Sequence, residues 1–493
     1  MEFPASLIRT ERSGGARLLA LGATAAILLI VHLYNCVTAI HQGYLPTSSD
    51  EIDYVKSVEY FVLNGHPHAF STFDEIYSPN GNFSFHGPVY TVVFGLPGLM
   101  FDFDLKYIIL YINILISIVS IIFILKILKD MEIGIIVSSI LLSSPIFYMY
   151  STSSMMEILQ IFISILIAGI FYVFIRCPVV GMVMPLFFGF TRQSNFLYSV
   201  GVFGRRMSAS RLVLMFALWT FSFLLLLADI NFLHASFPGG KLANVAQMLA
   251  QLDLFGAGRE LAANAVRGAQ RFFTSPEDGG FYLVARYVFV AATVYCLAVG
   301  FVRVQPRLLA AGMVGLAFFA ALLTLYDVGD WRDLRSLAGV TVFLMVVLGQ
   351  HRRKAFLLLV LLAQLATYPA LVSYGSEFNN LRVIPFRNQV QAADAEVAAY
   401  KALSALPATR PGEDFILLSV DAGLFPTDMG VAYLSLPVRS DSGLAMRYTF
   451  QRYGLAGASQ ADYRLSAQPC PDRPAVLSTS FFQVCRLVVQ RDP

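Results

Sequence analysis

Charge is scarce in this chain. Of its 493 residues only 14% are Asp, Glu, Lys or Arg, against about a quarter in soluble globular proteins. With 57% hydrophobic residues and a mean hydropathy of +0.64, this composition excludes an ordinary water-soluble enzyme. The net charge is only +3, its basic residues lie in short loops between apolar runs, and no nucleic-acid partner is expected. Cysteine is also sparse, at five residues. Only Cys470 and Cys485 lie close together; they can pair if the tail faces an oxidising compartment, a buried free thiol being the alternative. There is no 20–50-residue repeat and no low-complexity tract. The histidines show no ligand spacing: "HPH" at 66–68 is held extended by Pro67, so no metal is assigned and a divalent ion is left open.

What is present is a succession of apolar runs from Leu18 to Leu371, each near the ~20 residues that cross a bilayer. Lys and Arg collect in cytoplasmic loops. The clusters here are Arg9/Arg12/Arg17, Lys126/Lys129, Arg176, Arg205/Arg206/Arg211, Arg303/Arg307 and Arg352/Arg353/Lys354. Threading apolar runs between them predicts helices over 18–40, 107–126, 132–150, 157–175, 211–233, 281–302, 308–326, 335–350 and 355–372. The run 178–204 starts beside Arg176 and ends at Arg205, so both its ends lie on one side. It is expected as a hairpin of two partial helices with "TRQS" (191–194) at the outer tip. The result is a polytopic α-helical protein of about 11 membrane segments, N-terminus in and C-terminus out. The tail carries a helical stretch at 389–406 and strand-like runs "DFILLSV" and "FFQVCRLVV", which predict a small α/β domain.

The outer loop 41–106 holds the densest polar sequence. It opens with "SSDEIDYVKSVEYFVLNG", in which Ile52, Val55, Val58 and Phe61 recur at helical spacing and predict a helix at the membrane interface. Asp50 and Glu51 fall in its first turn, where the helix dipole favours negative charge, and Ser49 or Asp50 can cap it. Farther on, "DEIYSPNGNFSFHGPVYTVVFGL" brings a second acidic pair, Asp74/Glu75, and a juxtamembrane helix over 88–101 too short to span. "NFS" at 82–84 matches the short glycosylation triplet and is read as incidental.

The order of these motifs resembles the GT-C glycosyltransferases, in particular the polyprenyl-phosphate-sugar users similar to protein mannosyltransferases and the lipid A aminoarabinose transferase. The resemblance rests on Asp50-Glu51 after the first span and on "HGPVY" (His86 to Tyr90) opening a juxtamembrane helix, with Gly87 where the family commonly has proline. Thr191-Arg192 stands where the family often has Thr-Lys. The resemblance covers roughly the first 210 residues by motif. It implies an inverting transfer with His86 and Tyr90 at the substrate site. It also implies a second carboxylate, Glu157, after the third span, and an arginine where a late helix begins at the outer face, for which Arg332 and Arg335 are candidates. For Glu157 the dipole of the helix it opens is the plainer reading, and for the two arginines a local network with Asp327, Asp330 and Asp333 is the alternative.

The chemistry gives its own reason for these residue types. A polyprenyl-phosphate donor holds its phosphate at the headgroup level, so transfer needs a carboxylate there to take the acceptor's proton and a cation for the departing phosphate. Asp50 meets the first need, with Glu51 as neighbour or alternative base. If the two are close, their repulsion raises one pKa toward neutrality. Arg192, in an apolar hairpin away from the basic loops, meets the second; its alternatives are snorkelling and pairing with a structural acid. The expectation is therefore a membrane glycosyltransferase acting on a lipid, polysaccharide or protein acceptor. It has a catalytic module over 1–372 and an extracytoplasmic domain over 373–493, in the bacterial inner membrane among membrane lipids. The alternative is a transporter or flippase of a lipid-linked glycan, for which Asp229 is the nearest intramembrane ionisable residue.

Overall fold

The structure is a computed structural model. It describes residues 5–41, 49–68, 71–72, 88–101, 105–153, 155–204, 209–233, 245, 248, 251–274, 280–325, 334–376, 402–407, 415–421, 437, 439–451, 461–466, 468–470, 475–478 and 483–486. The helices are α1 (Ala5–His41), α2 (Ser49–Asn64), α3 (Pro88–Met100), α4 (Leu105–Ile127), α5 (Met131–Leu142), α6 (Pro145–Tyr150), α7 (Glu157–Arg176), α8 (Pro178–Gly189) and α9 (Ala209–Leu233). They continue as α10 (Leu254–Thr274), α11 (Gly280–Val302), α12 (Pro306–Leu325), α13 (Arg335–Gln350) and α14 (Lys354–Ser376). Six of these, counted among the described residues, are long and apolar enough to cross a membrane, and five shorter apolar helices accompany them. The architecture is that of a polytopic helical membrane protein.

Burial separates the centre from the lipid face. The apolar window of α7 is 67% buried and that of α1 only 11%. Accordingly α1 exposes Leu19, Ile27, Ile30 and Val37, while α13 buries Val340, Phe343, Leu344 and Val346. In α13 and α7, Phe343 and Phe171 meet edge to face at 4.8 Å. Gly339 allows this close packing, since a Cβ there would lie 2.5 Å from Ser164 Oγ.

The single helix expected over 132–150 is two. Pro145 has no N–H for the i−4 carbonyl, and the chain breaks at Ser143–Ser144 before α6 begins. Ser143 Oγ lies 2.8 Å from Ser139 O, which satisfies part of the break, and 2.9 Å from Gln364 Oε1. Residues 178–204 form α8 and a 3-10 run, Gln193–Gly204, that pack side by side. Thr191 and Arg192 lie at the bend between them. Gly204 returns the run to α12, where a Cβ would lie 2.6 Å from the Ala310 backbone.

The bundle has two chemically distinct ends. At one, Arg17 Nε reaches Glu132 Oε1 at 2.9 Å, Lys354 pairs with the same carboxylate, and Arg176 and Arg307 gather on Tyr172. At the other lie the start of α7, the 191–192 bend, the start of α13 and helices α2 and α3. The α2 helix forms where one was expected and packs against α3 and α4, with Tyr54, Val55, Val58 and Tyr60 buried.

Above that second end sits a six-stranded sheet in the order β1-β3-β2-β4-β6-β5. Its strands are β1 (Ser71–Thr72), β2 (Phe415–Asp421), β3 (Ala445–Gln451), β4 (Tyr463–Ser466), β5 (Leu477–Ser478) and β6 (Gln483–Arg486). The edge strand β1 comes from the first loop and pairs parallel with β3, so the sheet draws on both sequence regions. Arg439 Nη1 also donates to Leu63 O at 3.1 Å, tying the sheet to the end of α2. Of the expected tail helix, 402–405 are a 3-10 turn and 389–401 lie outside the described residues.

Cys470 and Cys485 form a disulfide with Cα atoms 5.5 Å apart, within ordinary bridging geometry. Alkylation and mass spectrometry without reductant should leave these two cysteines unlabelled and modify Cys177. Replacing both with serine should destabilise the sheet by about 3 kcal/mol, the loop-closure value for a loop of this length, read as a lower unfolding midpoint.

Candidate functional site

Ahead of its terminal Arg176, the helix α7 carries a polar stripe at Glu157, Gln160 and Ser164, spaced three and four residues apart and so on one face. The 3-10 run beside it carries a matching stripe. Arg192 just precedes the run, and Asn195 and Tyr198 follow at intervals of three, the spacing at which 3-10 side chains eclipse. The two stripes meet rung by rung. Arg192 Nη1 donates to Glu157 Oε1 at 3.4 Å, Asn195 Nδ2 donates to Gln160 Oε1 at 2.7 Å, and the Ser164 and Tyr198 hydroxyls are 2.7 Å apart. Asn195 Nδ2 also lies 3.0 Å from Thr191 Oγ1, holding the bend.

A third element completes the group. Arg335, the first residue of α13, places Nε 3.8 Å from the same Glu157 oxygen, and its neighbour Ser336 accepts from Arg192 Nη2 at 3.4 Å. Glu157 is 2% exposed and Arg192 7%, so this pair is screened little by water. One carboxylate faces two guanidiniums, at a place where desolvation makes charge expensive. Glu157 Oε2 has no hydrogen-bond partner among the described residues. A cavity of about 10 Å³ lies between Arg192, Arg335, Gln160 and Tyr198. That is room for about one water-sized group.

The first-loop residues form a second group. Glu51 is fully buried in the first turn of α2. Tyr90 is buried on α3 with its ring 4.5 Å from that of Tyr54 and 4.3 Å from that of Phe94. Asp50 lies in the same helical turn as Glu51; its side chain, like His86 and Arg332, lies outside the described residues. So do Asp74, Glu75, Asp327, Asp330, Asp333 and the side chain of Asp229. His66 and His68 stack at 5.5 Å, and no metal-binding cluster occurs among the described residues.

Sequence reasoning named Glu157, Arg192 and Arg335 and missed Gln160, Asn195, Tyr198 and Ser336. The signal was present in the 157/160/164 and 192/195/198 spacings, each polar against an apolar background.

No protein-family model matches the chain, and no curated protein matches it. A solved structure of the Archaeoglobus fulgidus oligosaccharyltransferase, in the apo form, is similar at a TM-score of 0.45 with 13% identity, covering 86% of this chain. The chain spans 65% of that protein's length. No residue role is taken from it.

Proposed function

We propose that this chain is a membrane glycosyltransferase that moves a sugar from a polyprenyl-phosphate donor to an acceptor hydroxyl on the extracytoplasmic face, inverting the anomeric carbon. One observation carries the reading: two arginines converge on one buried carboxylate, 3.4 and 3.8 Å away, at the end of the bundle opposite the basic loops. Two guanidiniums there suit a phosphate, because arginine matches phosphate oxygens with paired donors. The disulfide in the sheet supports an oxidising compartment for that end, and with it an N-terminus in the cytoplasm and the domain 373–493 outside.

In this reading Asp50 takes the proton from the acceptor hydroxyl as its oxygen bonds to the anomeric carbon. The bond from that carbon to the phosphate oxygen breaks on the opposite face, and Arg192 and Arg335 take up the charge that develops on the phosphate. Arg332 is a further phosphate partner. Glu51 is the alternative base, Glu157 orients Arg192, and His86 and Tyr90 lie along the substrate. The module 1–372 performs the transfer and no metal is required by this scheme.

Glycan analysis of a strain lacking the gene tests the reading. The expected result is an envelope glycan short of one sugar with export intact. The transporter or flippase reading has one observation in its favour: the α5–α6 break beside His32, which is 1% exposed and whose ring nitrogens have no hydrogen-bond partner among the described residues. Ionisable groups at interrupted helices mark substrate paths in transporters. Accumulation of a complete glycan on the inner face would select that reading over transfer.

A further inference from the structure

The opposite end of the bundle is built around one ring. The guanidinium carbons of Arg176 and Arg307 lie 3.8 and 3.7 Å from the centroid of Tyr172. Each face of a ring takes one guanidinium, so Tyr172 is sandwiched between two cations. Arg176 closes α7, where the dipole favours a cation, but Arg307 stands in the first turn of α12, where the dipole opposes it. A second helix start converges on the same place. Arg353 immediately precedes α14 and donates from Nη2 to Gln305 Oε1 at 2.8 Å, just ahead of α12. His351 lies in the same turn; burial first, then Arg307 and Arg353, push its pKa down.

The described carboxylates at this end are committed elsewhere. Asp130 caps α5 through the Glu132 and Ile133 amides, and Glu132 holds Arg17 and Lys354. Two nitrogens in the cluster, Arg353 Nε and His351 Nε2, have no hydrogen-bond partner among the described residues. Surface charge left by membrane insertion accounts for basic residues on this face. It does not account for two arginines from α7 and α12 stacked on one ring, with Arg353 bonded to Gln305 just ahead of the second of these helices.

We infer that Arg176, Arg307, His351 and Arg353 form a binding site for the phosphate headgroup of an anionic phospholipid. Arg176 is exposed and Arg307 and Arg353 are half-buried, so the site opens to the headgroup layer. A lipid is favoured over a free ion because the cluster sits where apolar helices end, with Val302 and Val304 exposed beside it for acyl chains. This inference is independent of the glycosyltransferase reading.

The test is native mass spectrometry of the full chain, delipidated and then titrated with phosphatidylglycerol or phosphatidylcholine. Occupancy by phosphatidylglycerol should fall by about tenfold or more in Arg307→Gln/Arg353→Gln. It should stay within about twofold in Arg211→Gln/Arg303→Gln, which removes the same charge from exposed positions. Arg307→Lys/Arg353→Lys should retain more lipid than the glutamine pair, separating lost charge from lost fold. Equal losses in the cluster and control pairs would reduce the effect to general surface charge and overturn the site. Equal binding of phosphatidylcholine, or displacement by millimolar inorganic phosphate, would overturn the lipid assignment.

Discussion

Asp50→Asn is expected to lower sugar transfer by about two to four orders of magnitude, the usual contribution of a positioned general base, with folding unchanged. The substitution separates the two roles open to this residue. Asparagine caps a helix as well as aspartate does, so the substituted side chain would serve any capping role at the start of α2 while losing the ability to take a proton. If capping were the whole role, turnover with a synthetic lipid-phosphate sugar would stay near normal. Glu51 gives the control. Its side chain is fully buried, so Glu51→Gln should act more on stability than on turnover. If Glu51→Gln instead abolishes turnover while Asp50→Asn spares it, the base is Glu51.

Arg192→Ala should cost about 10²–10³ in turnover, the scale for removing one donor to a developing negative charge. It should also weaken the dependence on donor concentration, and an unchanged dependence would count against a phosphate role. The fold should survive, because Glu157 keeps Arg335 at 3.8 Å. Glu157→Ala is a different experiment. It leaves two guanidiniums facing each other without their shared counterion, and breaking such a buried pair costs about 3–5 kcal/mol. The contrast is the useful measurement: Arg192→Ala yields folded protein with poor donor use, and Glu157→Ala yields poorly folded protein.

Hydropathy and charge are local properties, and the features that depend on them were legible in the sequence. The succession of apolar helices, the hairpin bend at Thr191–Arg192 and the gathering of Arg17, Arg176, Arg307 and Lys354 at one end all follow from such patterns. What depends on distant partners was not legible. The interface pattern of α2 says that one face is apolar, but not that α3 and α4 cover the rest. Nothing in Ser71–Thr72 points to a strand 377 residues away in sequence, at Tyr448–Thr449. The break before Pro145 was visible in "LLSSPIF", yet the length of the run outweighed it. Of the candidate site, Glu157, Arg192 and Arg335 stood out as charges in apolar sequence, whereas Gln160 and Asn195 are neutral and gain meaning only once paired.

The matched stripes of α7 and the 3-10 run also work as a length gauge. Their partners are 35, 35 and 34 positions apart in sequence. Seven α-helical residues rise about 10.5 Å and six 3-10 residues about 12 Å. Both make about two turns, so the strips stay in phase over that distance and drift apart beyond it. Were the return segment an ordinary α-helix, Tyr198 would rotate away from Ser164 and the outer guanidinium would lose its fixed depth. Insertion of one residue between Arg192 and Tyr198 would do the same. The unusual conformation of Gln193–Gly204 is thus what sets where the buried Arg192 stands along α7.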